Sequence, residues 1–256
     1  MKYLNMFLMV TLLLVFSLTA NAGEELEVTV SAAISLKDAF EKIGKLFEDS
    51  HKGAKVIFNF GASGTLARQI EGGAPVDVFA PAAQKDMDDI EGKGLIAYGT
   101  RVNFAGNSVV LIVPASDNVK VTSFDGLKSE KVKKVAIGNP KTVPAGRYAT
   151  KVLNFYKALP AINDKLILAE NVRQVLDYVA KGEVEAGVVY LTDTVVRANE
   201  VKTVSTATEE SHKPIVYPIA LIKGAKNEKI SNEFIKTVVS KAGRDILKSY
   251  GFKTLK

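Results

Sequence analysis

The chain has 256 residues, 47% of them apolar and 24% charged, with no Cys, no Trp and two His. That composition suits one large or two small globular domains and excludes a disordered, collagenous or multispan membrane chain. Without Cys there are no disulfides, thiolate metal sites or cysteine nucleophiles, and two His leave little for a zinc site or a His-based relay. The formal charge is +6, yet the basic residues are scattered among the acids. The densest cluster, Lys131, Lys133 and Lys134, stands just before an apolar strand. It reads as a solvated face, so no nucleic acid partner is expected. A mild positive field does favour encounter with a small anion.

The chain opens with Lys2, an apolar run from Met6 to Leu18, and Ala20-Asn21-Ala22. A basic start, a core of about 7–15 apolar residues and an A-x-A ending define a secretory signal. The run is short for a spanning helix, which needs about 20 residues. Residues 1–22 are therefore expected to be a signal peptide cleaved after Ala22, giving a soluble periplasmic protein.

Strands and helices then alternate. Leu26 to Ala32 is rich in β-branched residues and reads as a strand. Leu36, Ala39, Phe40, Ile43, Leu46 and Phe47 fall on one helical face. Val56 to Phe60 is a second strand, followed by a Gly-rich turn and a helix through Leu66 and Ile70 that stops at Gly72-Gly73. Val76 to Ala80 is a third strand, and the helix after it carries Met87 and Ile90. The pattern resumes with strands at Ser108 to Val113 and Lys134 to Ile137, and with helices starting near Ala145 and near Val172. Ala186 to Tyr190 is a buried-type strand. Ile215 to Ile222 is another, and its Pro218 predicts an edge strand or a bulge. One helix is predicted from Ser231 to Tyr250.

This order predicts an α/β fold of two lobes, each a mainly parallel sheet flanked by helices. Lobe 1 is expected to comprise 23–105 and 210–256, and lobe 2 to comprise 106–209. The chain would cross between them near Phe104 to Asn107 and around Glu209 to Lys213. Ligands of such sheets bind outside the C-terminal ends of the strands, so the strand-to-helix turns are the places to search. Four of them are built from small or polar residues: Ala33-Ile34-Ser35, Gly61-Ala62-Ser63-Gly64-Thr65, Asn139 to Gly146, and Ala169-Glu170-Asn171-Val172. Exposed N–H groups and the positive ends of helix dipoles make such turns natural anion sites. Ser35 and Ser63 also suit ordinary N-caps.

Catalytic readings have less support. Thr65 breaks the G-x-S-x-G pattern around Ser63, and His51 and His212 lie in polar surface stretches. Asp77 and Asp193 fit helix capping or ion pairing better than acid–base work. No phosphate-cradling or dinucleotide motif is present.

At these turns the sequence resembles the periplasmic molybdate-binding proteins, the soluble receptors of molybdate ABC importers, which have the type II periplasmic binding protein fold. The matching stretches are Ser31 to Phe40, Phe60 to Ile70, Gly73 to Ala80, Gly106 to Val113, Gly138 to Tyr148, Glu170 to Arg173 and Gly187 to Tyr190. Tyr217-Pro218 and Tyr250-Gly251-Phe252 also fit, so the resemblance runs through the whole chain after the leader. It implies five donors to a tetrahedral oxyanion in the cleft between the lobes: the hydroxyls of Ser35, Ser63 and Tyr190, and the backbone N–H groups of Ala145 and Val172. Molybdate, and also tungstate, would be the transported ligand, with molybdenum held only as the oxyanion and no separate cofactor. The partners implied are a membrane permease and its ATPase, with the receptor a monomer and not an enzyme. Ile34 and Gly64 depart from the family pattern, where a small Ala and a second hydroxyl residue are usual. Ile34 would narrow the pocket mouth.

The chemistry is coherent. Molybdate and tungstate at neutral pH are dianions whose oxygens all accept. A site made only of donors suits them, whereas hydrogen phosphate would bury an O–H against other donors, a loss of about 1–3 kcal/mol. Sulfate can be rejected only on size. The alternatives are a receptor of the same fold for sulfate, phosphate or an organic acid, and an exported hydrolase with Ser63 as nucleophile. A carboxylate-ligated tungstate site does not match these positions, and an adjacent tyrosine pair for ferric iron is missing.

Overall fold

The computed structural model describes residues 26–116 and 120–255. The expected signal peptide and its cleavage point lie outside the described residues. The first sheet is built from β1 (Leu26–Ala33), β2 (Ala54–Gly61), β3 (Val78–Ala80), β4 (Val102–Gly106) and β10 (Val216–Leu221), and the second from β5 (Val109–Pro114), β6 (Val135–Gly138), β7 (Leu166–Ala169), β8 (Ala186–Tyr190) and β9 (Val201–Thr206). Their orders, β2-β1-β3-β10-β4 and β7-β6-β8-β5-β9, repeat one plan. Three strands pair in parallel, and a reversed fourth separates them from the fifth.

In each sheet the reversed strand is the one that has just crossed from the other. The chain leaves the first sheet on β4 and enters the second on β5. It leaves the second on β9 and re-enters the first on β10. The crossings fall at 107–108 and 207–215, close to the places expected from the sequence. Both sheets are thus mixed, with four of five strands running one way and the strand entering from the other sheet running against them.

The helices after β1, β2 and β3 are α1 (Lys37–Ser50), α2 (Ser63–Glu71) and α3 (Gln84–Glu91). In α1 the spacing of Ala39, Phe40, Ile43 and Phe47 turns all four inward, and each is buried. Phe40 stands 5.8–6.2 Å from the rings of Phe58, Phe104 and Phe234, so one side chain ties α1 to both flanks of its sheet. The second sheet carries α4 (Pro144–Phe155), the short α5 (Leu159–Ile162), α6 (Val172–Ala180) and α7 (Leu191–Val196). Helices α8 (Glu228–Val239) and α9 (Lys241–Ser249) close the chain.

One expectation is met in the second of its two forms and two are corrected. Pro218 marks a bulge rather than an edge strand. β10 lies between β3 and β4, and the register shifts between Tyr217 and Pro218. The bulge absorbs the missing N–H. The single terminal helix is two. Ser240 is extended at the break, and its hydroxyl accepts the Gly243 N–H at 3.0 Å, capping α9. Strands β4, β7 and β9 and helix α7 also exist where the sequence gave no distinct signal. They are short, and β9 (VKTVST) is half polar because it is an outer strand.

Candidate functional site

The four turns singled out from the sequence converge. Ala33, Ile34 and Ser35 at the end of β1, Gly61 to Ser63 at the end of β2, Val143 to Ala145 at the start of α4, and Val172 at the start of α6 line one small cavity with Ala82 and Tyr190. Its space for the centre of a water-sized body is ≈ 10 Å³, about that of a single small group. No lining residue is charged. All five sequence-predicted residues are in this lining, and all are nearly or fully buried: Ser35, Ser63, Ala145, Val172 and Tyr190. Ile34 is in the wall, as anticipated for a residue narrowing the mouth.

The two serines do not cap their helices. Each oxygen instead holds a partner on or next to the first sheet, Tyr217 of β10 for Ser35 and Ala82 just after β3 for Ser63. Ala82 N–H donates to Ser63 Oγ at 2.9 Å, so the Ser63 hydrogen is left for the cavity. Ser35 Oγ lies 3.1 Å from the Tyr217 hydroxyl. Val172 and Ala145 occupy the first and second positions of α6 and α4, where the helix cannot satisfy an N–H. The preceding Asn171 caps α6 by accepting the Gln174 N–H at 3.0 Å. Pro144 begins α4 with a residue that has no N–H to lose. Gly146 lets α4 sit directly on the end of β6: a Cβ there would be 1.8 Å from the Gly138 carbonyl oxygen. That close seating aims the α4 N-terminus into the cavity.

Tyr190 ends β8 and is buried. Its hydroxyl points at the Ala82 carbonyl, at 3.5 Å, the outer limit of a hydrogen bond. The tyrosine N–H donates to the Asp193 carboxylate at 3.1 Å, which caps the start of α7 from its third residue. Burial, joined by nearby Tyr217, Tyr148 and Asp193, pushes the Tyr190 phenol well above its ordinary pKa. It therefore stays a neutral donor. Asp193 is thus structural, in line with the sequence reading. So is Asp77, which accepts from Thr29 N–H and Lys226 N–H at 2.8 and 2.9 Å. His51 stacks on Phe47 with ring centroids 4.3 Å apart and takes no part in the cavity.

The cleft is closed around the cavity. Gly64 N–H donates to the Thr142 carbonyl at 2.9 Å, across from one sheet's layer to the other's. A Cβ on Gly64 would stand 2.9 Å from that same oxygen, which accounts for the missing side chain at this departure from the family pattern. Arg173, next to Val172, reaches Asp38 of α1 at 2.7 Å, and Arg147 of α4 pairs with Asp86 of α3. Both arginines are spent on carboxylates, so neither adds its charge to the cavity wall. Burial raises the Asp86 carboxyl pKa even with Arg147 beside it.

Sequence reasoning missed Ala82, Tyr217 and Asn107. Ala82 carries no chemistry of its own. Tyr217 was noted only as part of a matching Tyr-Pro pair. Neither its contact with Ser35, 182 residues away, nor that of Asn107 with Tyr217 has a local signal.

Two mixed sheets joined by two crossings, with a donor-lined cavity closed between them, define a two-lobed solute-binding protein. The family described as bacterial extracellular solute-binding protein matches residues 28–253, and the chain belongs to it. Among its relatives is the molybdate-binding protein ModA of Escherichia coli (strain K12), 37% identical over 256 residues, covering 98% of each chain. Another, 37% identical over 91% of this chain and 89% of its own, is the putative ABC transporter substrate-binding lipoprotein YvgL of Bacillus subtilis (strain 168). A solved structure, the substrate binding domain of a putative molybdenum ABC transporter from Clostridium difficile, is 37% identical with a TM-score of 0.70, covering 90% of this chain and all of that one. The resemblance drawn from the sequence is borne out. The relatives are exported solute-binding proteins rather than enzymes, and they give the Ser63 hydrolase reading no support.

Proposed function

We propose that this protein binds molybdate, and also tungstate, and delivers the oxyanion to the permease of an ABC importer driven by its ATPase. The single observation that carries the reading is the cavity: five buried neutral donors, brought from both sheets, with no charged residue in the wall. Relatives named as molybdate-binding proteins and a neighbour titled as part of a molybdenum transporter support it. Ser35 and Ser63 would donate through hydroxyls, Ala145 and Val172 through backbone N–H groups, and Tyr190 through its phenol.

The dianion would be balanced by helix N-termini rather than by a cation. Three helices contribute: α2 at Ser63, α4 at Ala145 and α6 at Val172. Such ends favour anions without the strong attraction of a buried ion pair, so release to the importer stays possible. Donors from two lobes give the ligand a preference for the closed state, and binding shifts the population toward it. The closed form is then what the permease recognises. Lobe 1 would span 23–105 and 210–256 and lobe 2 residues 106–209, with the leader removed after Ala22 and the receptor working as a monomer.

Titration calorimetry with molybdate, tungstate, sulfate and phosphate tests the proposal. Strong binding of the first two with weak sulfate and phosphate is the expected result. Preference for sulfate or phosphate, or no binding of any of the four, refutes it.

A further inference from the structure

Asn107 stands at the first crossing between the sheets, buried to 4% exposure. Its orientation is fixed by the backbone. Ser108 N–H, which can only donate, meets Oδ1 at 2.9 Å, so the other end of the amide is the NH₂ group. That group donates twice: to Thr192 Oγ1 at 2.9 Å and to the Tyr217 hydroxyl oxygen at 3.1 Å. Tyr217 is fully buried. Its oxygen receives from Asn107, and its own hydrogen needs an acceptor. Among the described residues the remaining hydroxyl partner is Ser35 Oγ at 3.1 Å. A buried phenol hydrogen left without a partner is disfavoured, so Tyr217 donates to Ser35. Ser35 in turn has one of its two lone pairs engaged and cannot donate back along the same contact, so its hydrogen goes elsewhere. The free direction is the cavity that it lines.

We propose that Asn107 and Tyr217 are positioning residues that lock the Ser35 hydroxyl as a donor, so that the site rejects oxyanions carrying a proton. This rests on the oxyanion-receptor reading and extends it from the donors to the groups behind them. A serine free to rotate can present either its hydrogen or a lone pair. A serine that accepts from behind has one of its two lone pairs occupied and turns its hydrogen forward, so a ligand O–H meets a hydrogen where it needs an acceptor. Ser63 is locked in the same sense by Ala82 N–H, but a backbone group cannot be mutated away. The Asn107–Tyr217–Ser35 chain is made of side chains and can be.

The sign of the effect is specific. Tyr217→Phe removes the hydrogen aimed at Ser35 and keeps the ring that packs edge-on to Phe104 and Phe252. Asn107→Asp acts by another route. It replaces the NH₂ by an acceptor, so the phenol hydrogen turns toward the carboxylate and Ser35 donates backward to Tyr217. In both variants the Ser35 hydrogen is no longer committed to the cavity, and an accepting lone pair can face the ligand instead.

The test is calorimetric binding of molybdate, sulfate and phosphate to the purified parent and variants, at a mildly alkaline pH where all three are dianions and only phosphate carries a proton. Equal charge makes the affinity ratios insensitive to the carboxylate introduced by Asn107→Asp. The molybdate-to-phosphate preference should fall about tenfold in each variant, the worth of one buried hydrogen bond made or lost. The molybdate-to-sulfate preference, which depends on size, should be unchanged. In a Ser35→Ala background, Tyr217→Phe should no longer alter the phosphate ratio. A molybdate-to-phosphate ratio unchanged in both variants overturns the inference, as does a Tyr217→Phe effect that persists without Ser35. Both ratios falling together would mark the chain as merely structural and also overturn it. Failure of the parent to bind any of the three would instead refute the receptor reading on which the chain depends.

Discussion

Gly64→Ala separates folding from closure, because it acts on them with opposite signs. Gly64 is the second residue of α2, and replacing Gly by Ala in a helix favours the helix by up to about 1 kcal/mol. The obstacle is across the cleft: the three nearest atoms to an added Cβ all belong to Thr142, with the oxygen at 2.9 Å, Cα at 3.1 Å and the carbonyl carbon at 3.3 Å. These are backbone atoms and cannot rotate aside. The methyl group therefore pushes α2 and the loop before α4 apart, stretching the 2.9 Å Gly64–Thr142 hydrogen bond. Overpacking of this kind costs about 1–3 kcal/mol. The cost falls only on the closed state, where the two surfaces meet. Molybdate affinity should fall about fivefold to a hundredfold, and the unliganded melting temperature should hold or rise slightly. Calorimetry and a thermal melt of the free protein read the two effects separately. Unchanged affinity would show that the bound state does not use this cross-cleft approach, and the account of Gly64 would be wrong.

Other expectations concern the donors and a buried acid. Ser63→Ala removes a hydrogen bond to a charged ligand, worth about 1.5–3 kcal/mol, so molybdate should bind roughly tenfold to a hundredfold more weakly in a titration. Tyr190→Phe keeps the ring and removes only the hydroxyl. Weaker binding with little change in the free protein's melting temperature is expected, and a large fall in melting temperature at constant affinity would make Tyr190 a packing residue instead. Asp193 is fully buried, and burial, opposed by Arg173 and the Tyr190 N–H, raises its carboxyl pKa to about 7. A carboxyl whose pKa is higher folded than unfolded binds its proton more tightly in the native state. Its contribution to stability therefore falls as pH rises from about 4 toward 7. Asp86, also raised, acts in the same direction. Asp193→Asn keeps an oxygen for the Tyr190 N–H and should flatten the dependence of melting temperature on pH over that window. An unchanged slope would assign the dependence to other groups.

The sequence by itself determined the alternation of strands and helices, and so the α/β class, because period-2 and period-3.6 patterning are local properties. The inward face of α1 and strand β8 were legible in the same way. So was the prominence of Ser35, Ser63, Ala145 and Val172, since small polar turns before helices advertise free N–H groups. Attaching Tyr190 to them came from the family resemblance rather than from spacing. Tertiary structure decided what depends on partners far along the chain. Pro218 could not reveal whether its strand lay at an edge, because β10 gains its neighbours β3 and β4 only by crossing back from the other sheet. Ser35 and Ser63 looked like helix caps, yet each oxygen is engaged by a residue outside its own helix, Tyr217 and Ala82. The absent side chain at Gly64 acquired a reason only when Thr142 was found against it. A hydroxyl's role follows from what stands behind it, and that is set by packing between segments whose sequence separation carries no local signal.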